Sequence, residues 1–157
     1  MTIRRIIHRM TAFKVTDSWL RSKYVHFNEM FWNGALPDIP LDVVHDDSSF
    51  WKNCYAAAEY TPNQQNKTVE DLRIRFTDCH WWLTEKHYEE LLLHEMIHID
   101  DYMTHQDYYS VPWYLRDEDN EHGEYFMTKA AEISEHGWMI TNKITPEMLK
   151  LEKEFMS

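Results

Sequence analysis

The sequence predicts an α+β fold of one domain over residues 1–157, with a small sheet of three or slightly more strands packed against helices. Three observations predict this class. Apolar residues recur at helical spacing near both ends of the chain, and short extended segments lie between them. No internal repeat or low-complexity segment interrupts this order. The 43% hydrophobic and 27% charged residues are typical of an ordinary globular core and surface.

Residues 1–16 have the pattern of a short, basic, amphipathic helix. Its apolar residues recur at helical spacing, and arginines separate them: Ile3, Ile6, Ile7, Met10 and Phe13, with Arg4, Arg5 and Arg9. We expect the apolar face to pack on the domain and the basic face to lie in water. Contact with a membrane or with nucleic acid is the alternative.

A second helix is predicted to begin at the capping pair Thr16-Asp17 and to end at Asn33-Gly34. Its apolar stripe contains Leu20, Tyr24, Phe27 and Phe31. Three short strands should follow, at about 40–45, 54–61 and 71–78. The third alternates apolar and polar residues, as a half-buried strand does. The polar run over 61–67 is the strongest turn signal in the chain.

The second half of the chain predicts helices. The run from Thr84 to about Thr104 contains neither Gly nor Pro and forms the central helix. Residues 105–120 are expected to form a loop, and residues 123–135 another helix that Gly137 closes. Thr145 followed by a proline begins the C-terminal helix over 145–157.

The central helix contains the sequence His94-Glu95-Met96-Ile97-His98, directly after three leucines that should anchor one side of the helix in the core. Residues four apart share a helix face, with Cβ atoms roughly 5–6 Å apart. His94 and His98 can therefore bind one ion at the roughly 2.0–2.1 Å of zinc–nitrogen bonds. Glu95 lies about 100° around the helix. We expect it to take a proton from a water molecule at the ion rather than to bind the ion.

A catalytic zinc ion keeps three protein ligands and one open position. We expect His122 to be the third ligand, because it precedes a predicted helix and Phe126 follows at a spacing that would hold this helix against the core. His136 is excluded, since about 20 Å of helix separate it from His122. The sequence leaves six rival ligands open: His105, Asp107, Glu118, Asp119, Glu121 and Glu124.

Three blocks of sequence, in this order, resemble the SprT-like metallopeptidases, the group that includes bacterial SprT and the animal protease Spartan. The first is Phe-Asn-Glu-Met-Phe at 27–31, which runs into Leu-Pro-Asp-Ile-Pro at 36–40. The second is Leu-Leu-Leu-His-Glu-Met-Ile-His at 91–98, and the third is His-Gly-Glu-Tyr-Phe at 122–126. The likeness covers about residues 18–140, and the last two blocks are specific when they occur together.

The resemblance implies a zincin-like fold with a Zn²⁺ ion on His94, His98 and His122, and with Glu95 as the general base. It also implies hydrolysis of peptide bonds in proteins, which in some members are bound or crosslinked to DNA. The gap from His98 to His122 is longer than is typical of the family, which makes 105–120 an insertion beside the cleft. The four-cysteine zinc ribbon of many members is absent. We therefore expect a zinc endopeptidase; the alternative is a non-enzymatic, acidic zinc-binding module that binds or inhibits a protein partner.

Charge and composition limit the classes of partner that this protein is expected to have. The net charge of −11 opposes non-specific binding to nucleic acid. Residues 1–23 carry +5, which leaves −16 on the rest and keeps nucleic-acid contact open at this segment. No apolar run approaches a membrane span, and no glycine-rich nucleotide motif occurs. We expect a cytoplasmic monomer (in the host cytoplasm if the source is viral) with no membrane partner, a basic or DNA-associated protein substrate, and Cys54 and Cys79 as free thiols or one disulfide.

Features around the motif suggest how substrate binds. Acidic residues should favour Lys- and Arg-rich substrates: Asp100, Asp101, Asp117, Glu118, Asp119, Glu121 and Glu124. Asp101 shares the helix face of the two histidines, so it either orients an imidazole or is an exposed carboxylate. The aromatic residues Tyr108, Tyr109, Trp113 and Tyr114 either line the cleft, stabilise an oxyanion or pack on one another. The strand around residues 56–58 could present an edge to an extended substrate.

Overall fold

The computed structural model describes residues 2–116 and 121–156. Within these residues the helices are Ile3–Thr11 (α1), Asp17–Trp32 (α2), Ser49–Lys52 (α3), Glu85–Thr104 (α4), Gln106–Tyr109 (α5), Glu124–Ser134 (α6) and Pro146–Phe155 (α7). The strands are Leu41–Val44 (β1), Ala56–Asn63 (β2) and Thr68–Thr77 (β3), and a 3₁₀ turn covers Trp113–Leu115. The predicted α+β class with a small three-stranded sheet is confirmed.

The sheet has the strand order β1-β3-β2, with β1 parallel and β2 antiparallel to the central strand β3. The strands lie close to the three predicted segments. Ile74 and Phe76 of β3 are fully buried, while Arg73 is exposed and Arg75 only half-buried, so the predicted alternation is confirmed. Both β1 and β2 are edge strands within the described chain.

The turn between β2 and β3 is shorter than predicted. The polar run over 61–67 predicted a turn along its whole length, but β2 continues to Asn63, which pairs with Thr68. The turn therefore occupies only residues 64–67. The backbone pairing of the hairpin extends the strand into polar sequence, because side-chain polarity does not prevent ladder hydrogen bonds at an exposed sheet end.

Helix α4 packs on β2 and β3 and against α2 and α6. It begins with a capping box: the Thr84 hydroxyl accepts a hydrogen bond from the His87 N–H, and the His87 Nδ1 accepts one from the Thr84 N–H. Its apolar side is fully buried: Leu92, Leu93, Met96, Ile97 and Ile99. Burial of each such side chain contributes about 1.5–3 kcal/mol, which makes α4 the most firmly held element.

Helix α1 packs in the opposite orientation to the expected one. The exposed fractions of Ile3, Ile7 and Met10 are 77%, 55% and 78%, so the predicted burial of these residues is wrong. Phe13, which follows the end of α1 at Thr11, does pack partly buried against the core. The helix contacts the domain through His8, whose ring stacks on Phe155 at 4.3 Å between centroids. The surface beneath α1 is aromatic and presents a backbone carbonyl oxygen. An imidazole can both stack on the aromatic ring and donate to the carbonyl oxygen, whereas an isoleucine cannot donate a hydrogen bond.

The other predicted helix ends are confirmed. Asn33 ends α2 in the left-handed conformation, Gly137 follows α6 with a φ of 107°, and the Thr145 hydroxyl caps α7. The loop predicted over 105–120 is only partly right, because α5 and the 3₁₀ turn lie within it. Cys54 and Cys79 are both free thiols, each partly buried.

Candidate metal centre and the cleft beside it

Three imidazoles from two separate elements meet at one point. His94 and His98 lie one turn apart on α4, and their Nε2 atoms are 3.2 Å apart. His122 approaches from the residues before α6, with its Nε2 3.1 Å from that of His98 and 3.3 Å from that of His94. Within the described residues, this is the one group of three or more potential metal-binding side chains.

The separations fit a tetrahedral ion. Bonds of about 2.0–2.1 Å at tetrahedral angles place neighbouring ligand nitrogens about 3.3 Å apart. The three observed Nε2 separations of 3.1–3.3 Å match that spacing. Three imidazole nitrogens that all face one another cannot all be satisfied by hydrogen bonds among themselves, because a nitrogen of a neutral ring either donates or accepts, so two of the three must have the same role. A cation that accepts three lone pairs resolves this conflict.

Burial keeps the two α4 histidines uncharged near neutral pH. Burial first and the neighbouring imidazoles second lower the pKa of His94 to about 4 and that of His98 to about 2. The His94 Nδ1–H donates to the backbone oxygen of Thr141 at 2.9 Å, which leaves the lone pair on Nε2. Thr141 has no signal in the sequence, because it lies 47 residues away in a loop.

Phe126 forms the floor beneath the three imidazoles. Its ring is fully buried, and its centroid lies 4.7, 4.8 and 4.9 Å from those of His94, His98 and His122. The expectation that Phe126 holds its helix against the core is confirmed. The same ring also sets the depth at which the three imidazoles sit, since it contacts all of them.

Glu95 lies at the inner wall of the site. Its Oε2 accepts a hydrogen bond from the backbone N–H of Ala58 in β2 at 2.8 Å, and only 7% of the residue is exposed. The pKa of Glu95 is raised to about 8, chiefly by burial; the Ala58 hydrogen bond partly offsets this rise, and the Glu121 charge adds to it. A cation at the imidazoles would lower this pKa, because a nearby positive charge favours the carboxylate form.

None of the rival ligands that the structure describes joins the cluster. The His105 Nδ1 instead donates to Asp101 Oδ1 at 2.6 Å. Glu121 lies on the wall of a neighbouring cavity, and Glu124 faces a separate surface depression near Tyr125. Asp107 does not join either, and Glu118 and Asp119 lie outside the described residues.

Neither expectation for Asp101 holds. Its side chain does not orient a histidine of the cluster, and it is not exposed, since 3% of the residue is accessible. Its two oxygens accept hydrogen bonds from His105 and from the hydroxyl of Tyr109, both at 2.6 Å. Asp101 therefore holds α5 against the end of α4. Asp101 shares a helix face with the two histidines of the motif, but it also lies four residues before His105. It pairs with His105 instead of with the motif.

Two cavities lie along the outer edge of β2. The metal-side cavity, of about 380 Å³, is lined by His94, Glu95, His122 and residues 53–56 and 139–145. The aromatic cavity, of about 700 Å³, begins further along the same strand and is lined by Ala58, Tyr60, Tyr102, Trp113, Tyr114 and Glu121. Because Tyr102 also stacks on His98, the aromatic cavity adjoins the cluster.

The four aromatic residues between α4 and the candidate ligand His122 divide into two groups. Trp113 and Tyr114 are 76% and 68% exposed and line the aromatic cavity. Tyr109 is buried, and Tyr108 packs edge-on against it at 4.8 Å. Cleft lining and internal packing, stated as alternatives from the sequence, both occur.

Most of the described residues of the predicted acidic surround lie or pair away from the cluster. Asp100 accepts hydrogen bonds from Trp32 and Tyr125, away from the cluster. Asp101 accepts its hydrogen bonds from His105 and Tyr109. Glu121 is the acidic neighbour whose charge acts on Glu95. Asp117, Glu118 and Asp119 lie outside the described residues. A preference for basic substrates stays a prediction that rests mainly on Glu121.

No described helix has both the length and the apolar content needed to cross a membrane. Comparison of the chain with protein-family models gives no match. Comparison with curated proteins gives none either. The resemblance to the SprT-like metallopeptidases therefore rests on the three sequence blocks alone.

Proposed function

We propose that this protein is a zinc-dependent endopeptidase with a zincin-like catalytic domain. The observation that carries the proposal is the triangle of three imidazole nitrogens with a buried carboxyl group, that of Glu95, on the wall of the same cavity. A structural zinc site has four protein ligands, whereas three leave one position for substrate and water.

The roles of the residues follow from their positions. His94, His98 and His122 would hold the ion through Nε2, each as a neutral imidazole. A bound zinc ion would supply a Lewis acid that polarises a carbonyl group and lowers the pKa of water to about 7. The Glu95 carboxylate would accept a proton from the water that attacks the peptide carbonyl and pass it to the leaving amine nitrogen, while the Ala58 N–H holds one carboxylate oxygen in place.

The outer edge of β2 supports a peptide substrate. This edge passes both cavities, and within the described chain it pairs with no other strand. An extended peptide that adds to the edge gains main-chain hydrogen bonds, which suit proteins of varied sequence. Side chains of such a peptide would enter the aromatic cavity, where Trp113 and Tyr114 offer apolar surface. We expect large apolar or aromatic residues to be favoured there.

The test compares metal content and proteolysis in the wild type, Glu95→Gln and His122→Ala. Glutamine keeps an oxygen for the Ala58 N–H but cannot take a proton. Glu95→Gln should therefore keep one equivalent of zinc and lose about 10²–10⁴-fold in the rate of casein cleavage. His122→Ala should lose both zinc and cleavage. His136→Ala, which removes an exposed histidine outside the cluster, is the matched control and should change neither.

The outcomes separate the enzyme from the alternative. Stoichiometric zinc in the wild type without turnover of casein, histone or peptide libraries would contradict the enzyme and favour a zinc-binding module. Equal cleavage by Glu95→Gln and wild type would remove Glu95 from the mechanism. Retained zinc in His122→Ala would assign the third ligand to a neighbouring carboxylate.

A further inference from the structure

Helix α1 exposes an apolar stripe that no described residue covers. Four side chains form it, and their residues are 42–78% exposed: Ile3, Ile6, Ile7 and Met10. At 3.6 residues per turn they fall within an arc of about 100°. The side that packs on the domain lies opposite, at His8, which stacks on Phe155 and contacts the Trp82 carbonyl oxygen at 3.2 Å.

Arginines flank the stripe on both sides. Arg4 and Arg9 lie about 60° beyond its two edges, and α1 contains no acidic residue. Arg9 is exposed and lies over the ring of Trp81, while Arg4 pairs with Glu154 and keeps 79% of its side chain exposed. Such exposed contacts are weak, so both guanidinium groups can turn to an anionic ligand.

We propose that α1 binds reversibly in the plane of an anionic lipid surface, with the stripe among the acyl chains and Arg4 and Arg9 at the phosphate groups. An apolar stripe between two cationic flanks is the arrangement that interfacial helices use. From the sequence, packing of the apolar face on the domain was the expected arrangement, and contact with a membrane was the alternative. The exposed stripe favours that alternative.

A second copy of the chain fits this face less well. Two such stripes packed together would bring the arginines of both copies close to one another. A helix of nine residues is also only about 14 Å long, whereas a stable protein interface takes roughly 20–30 residues from each partner. A bilayer needs no complementary shape and accepts a short stripe.

The acidic character of the whole chain does not prevent this contact. Residues 1–23 carry +5 against −16 on the rest. At physiological ionic strength the Debye length is about 8 Å, so charges on the far side of the domain are largely screened from the lipid. The contact should therefore weaken as salt is raised, because it depends on local attraction to Arg4 and Arg9.

The stripe is separate from the metal centre, which allows an independent test. Helix α7 links the two regions: Met148 at its start lines the metal-side cavity, and Phe155 at its end supports α1. About seven residues of α7, or about 10 Å along its axis, separate Met148 from Phe155. Substitutions on the stripe should leave zinc content and proteolysis unchanged, so lipid binding and the proposed enzyme activity can fail separately.

The experiment is co-sedimentation of the full chain with vesicles of phosphatidylcholine alone and of equal parts phosphatidylcholine and phosphatidylglycerol. The wild type should bind the anionic vesicles, release with salt, and bind the neutral ones poorly. The double variant Ile3→Ser/Ile7→Ser should bind about tenfold or more weakly. The double variant Arg4→Gln/Arg9→Gln should lose most of the salt-dependent part of the affinity for anionic vesicles. Val25→Ser, at an exposed apolar position of α2, is the control and should bind like the wild type.

Circular dichroism and the thermal midpoint establish that each variant is folded. Met10→Gln provides a second, single substitution on the stripe if the double variant unfolds. Several results would overturn the proposal: no binding to either vesicle, equal binding by all variants, or a dimer in analytical ultracentrifugation that Ile3→Ser/Ile7→Ser abolishes. Binding of α1 to an acidic protein in preference to anionic vesicles would also overturn it.

Discussion

At the scale of single residues, Phe126 joins the candidate metal centre to the hydrophobic core. One fully buried ring contacts all three imidazoles, so the packing of α6 and the geometry of the cluster depend on the same side chain. Asp101 is the contrasting case. It follows the motif on the same helix face, yet its hydrogen bonds serve α5 and not the cluster.

Phe126→Leu should loosen the cluster without unfolding the domain. Leucine keeps an apolar side chain at the position but leaves part of the ring volume empty, which should cost about 1–2 kcal/mol of stability. Zinc affinity should fall on the order of tenfold, because the imidazoles lose the surface that orients them. Urea unfolding and competition with a chelating dye measure the two effects. Tyr125→Phe, on the exposed side of α6, should leave zinc affinity unchanged.

Asp101→Asn should destabilise the protein and spare the metal site. The amide nitrogen cannot accept a hydrogen bond, so the Tyr109 hydroxyl or the His105 N–H loses its partner at a cost of about 1–3 kcal/mol. The zinc content per chain should stay that of the wild type. Loss of zinc in this variant would mean that Asp101 does act on the cluster, contrary to the hydrogen bonds observed.

At the scale of elements, α4 carries most of the candidate site and contributes many fully buried side chains to the core. Its capping box uses His87 where glutamate or glutamine is usual, and the imidazole must be neutral to accept the Thr84 N–H at 3.2 Å. Burial lowers the pKa of His87; Glu147 of α7 opposes this, and Lys86 reinforces it. The start of α4 is therefore sensitive to acid.

His87→Gln should make stability less dependent on pH. In the folded state the pKa of His87 lies below its ordinary value of 6.5, so below that pH the unfolded chain binds a proton that the folded chain does not. Stability is thus lost as pH falls through this range. Glutamine keeps the capping hydrogen bond and does not titrate. Urea unfolding at pH 7.5 and pH 5.5 should show a smaller loss for the variant; an equal loss would exclude His87 as a contributor.

At the scale of the whole molecule, the candidate site joins distant parts of the chain. His122, Thr141 and Ala58 come from three different segments, and each contacts a residue of the α4 motif. A ligand that binds only the folded arrangement stabilises it by mass action. A zinc ion bound as proposed should therefore tie α6 and the loop over 139–145 to α4.

Removal of the metal should lower the thermal midpoint. Zinc at about a thousand times its dissociation constant would add roughly 4 kcal/mol to the free energy of unfolding. Scanning calorimetry with zinc and with chelator should show the shift in the wild type. The shift should vanish in His122→Ala and persist in His136→Ala. A midpoint that chelation does not change would contradict a metal site coupled to the fold.

The sequence by itself determined what depends on local periodicity. A separation of four residues placed His94 and His98 on one face of a helix, and capping residues and glycines marked most helix ends. Alternation located β3. These features follow from backbone geometry, which repeats along the chain and needs no knowledge of distant segments.

Only the tertiary structure decided which distant groups meet. It brought His122 to the two imidazoles, the Thr141 carbonyl oxygen to His94, and the Ala58 N–H to Glu95. It also reversed the expected orientation of α1. An amphipathic pattern shows that a helix has two unlike sides, but the surface it meets selects the side that packs. At α1 this surface is aromatic, so His8 stacks on it and the apolar stripe faces outward.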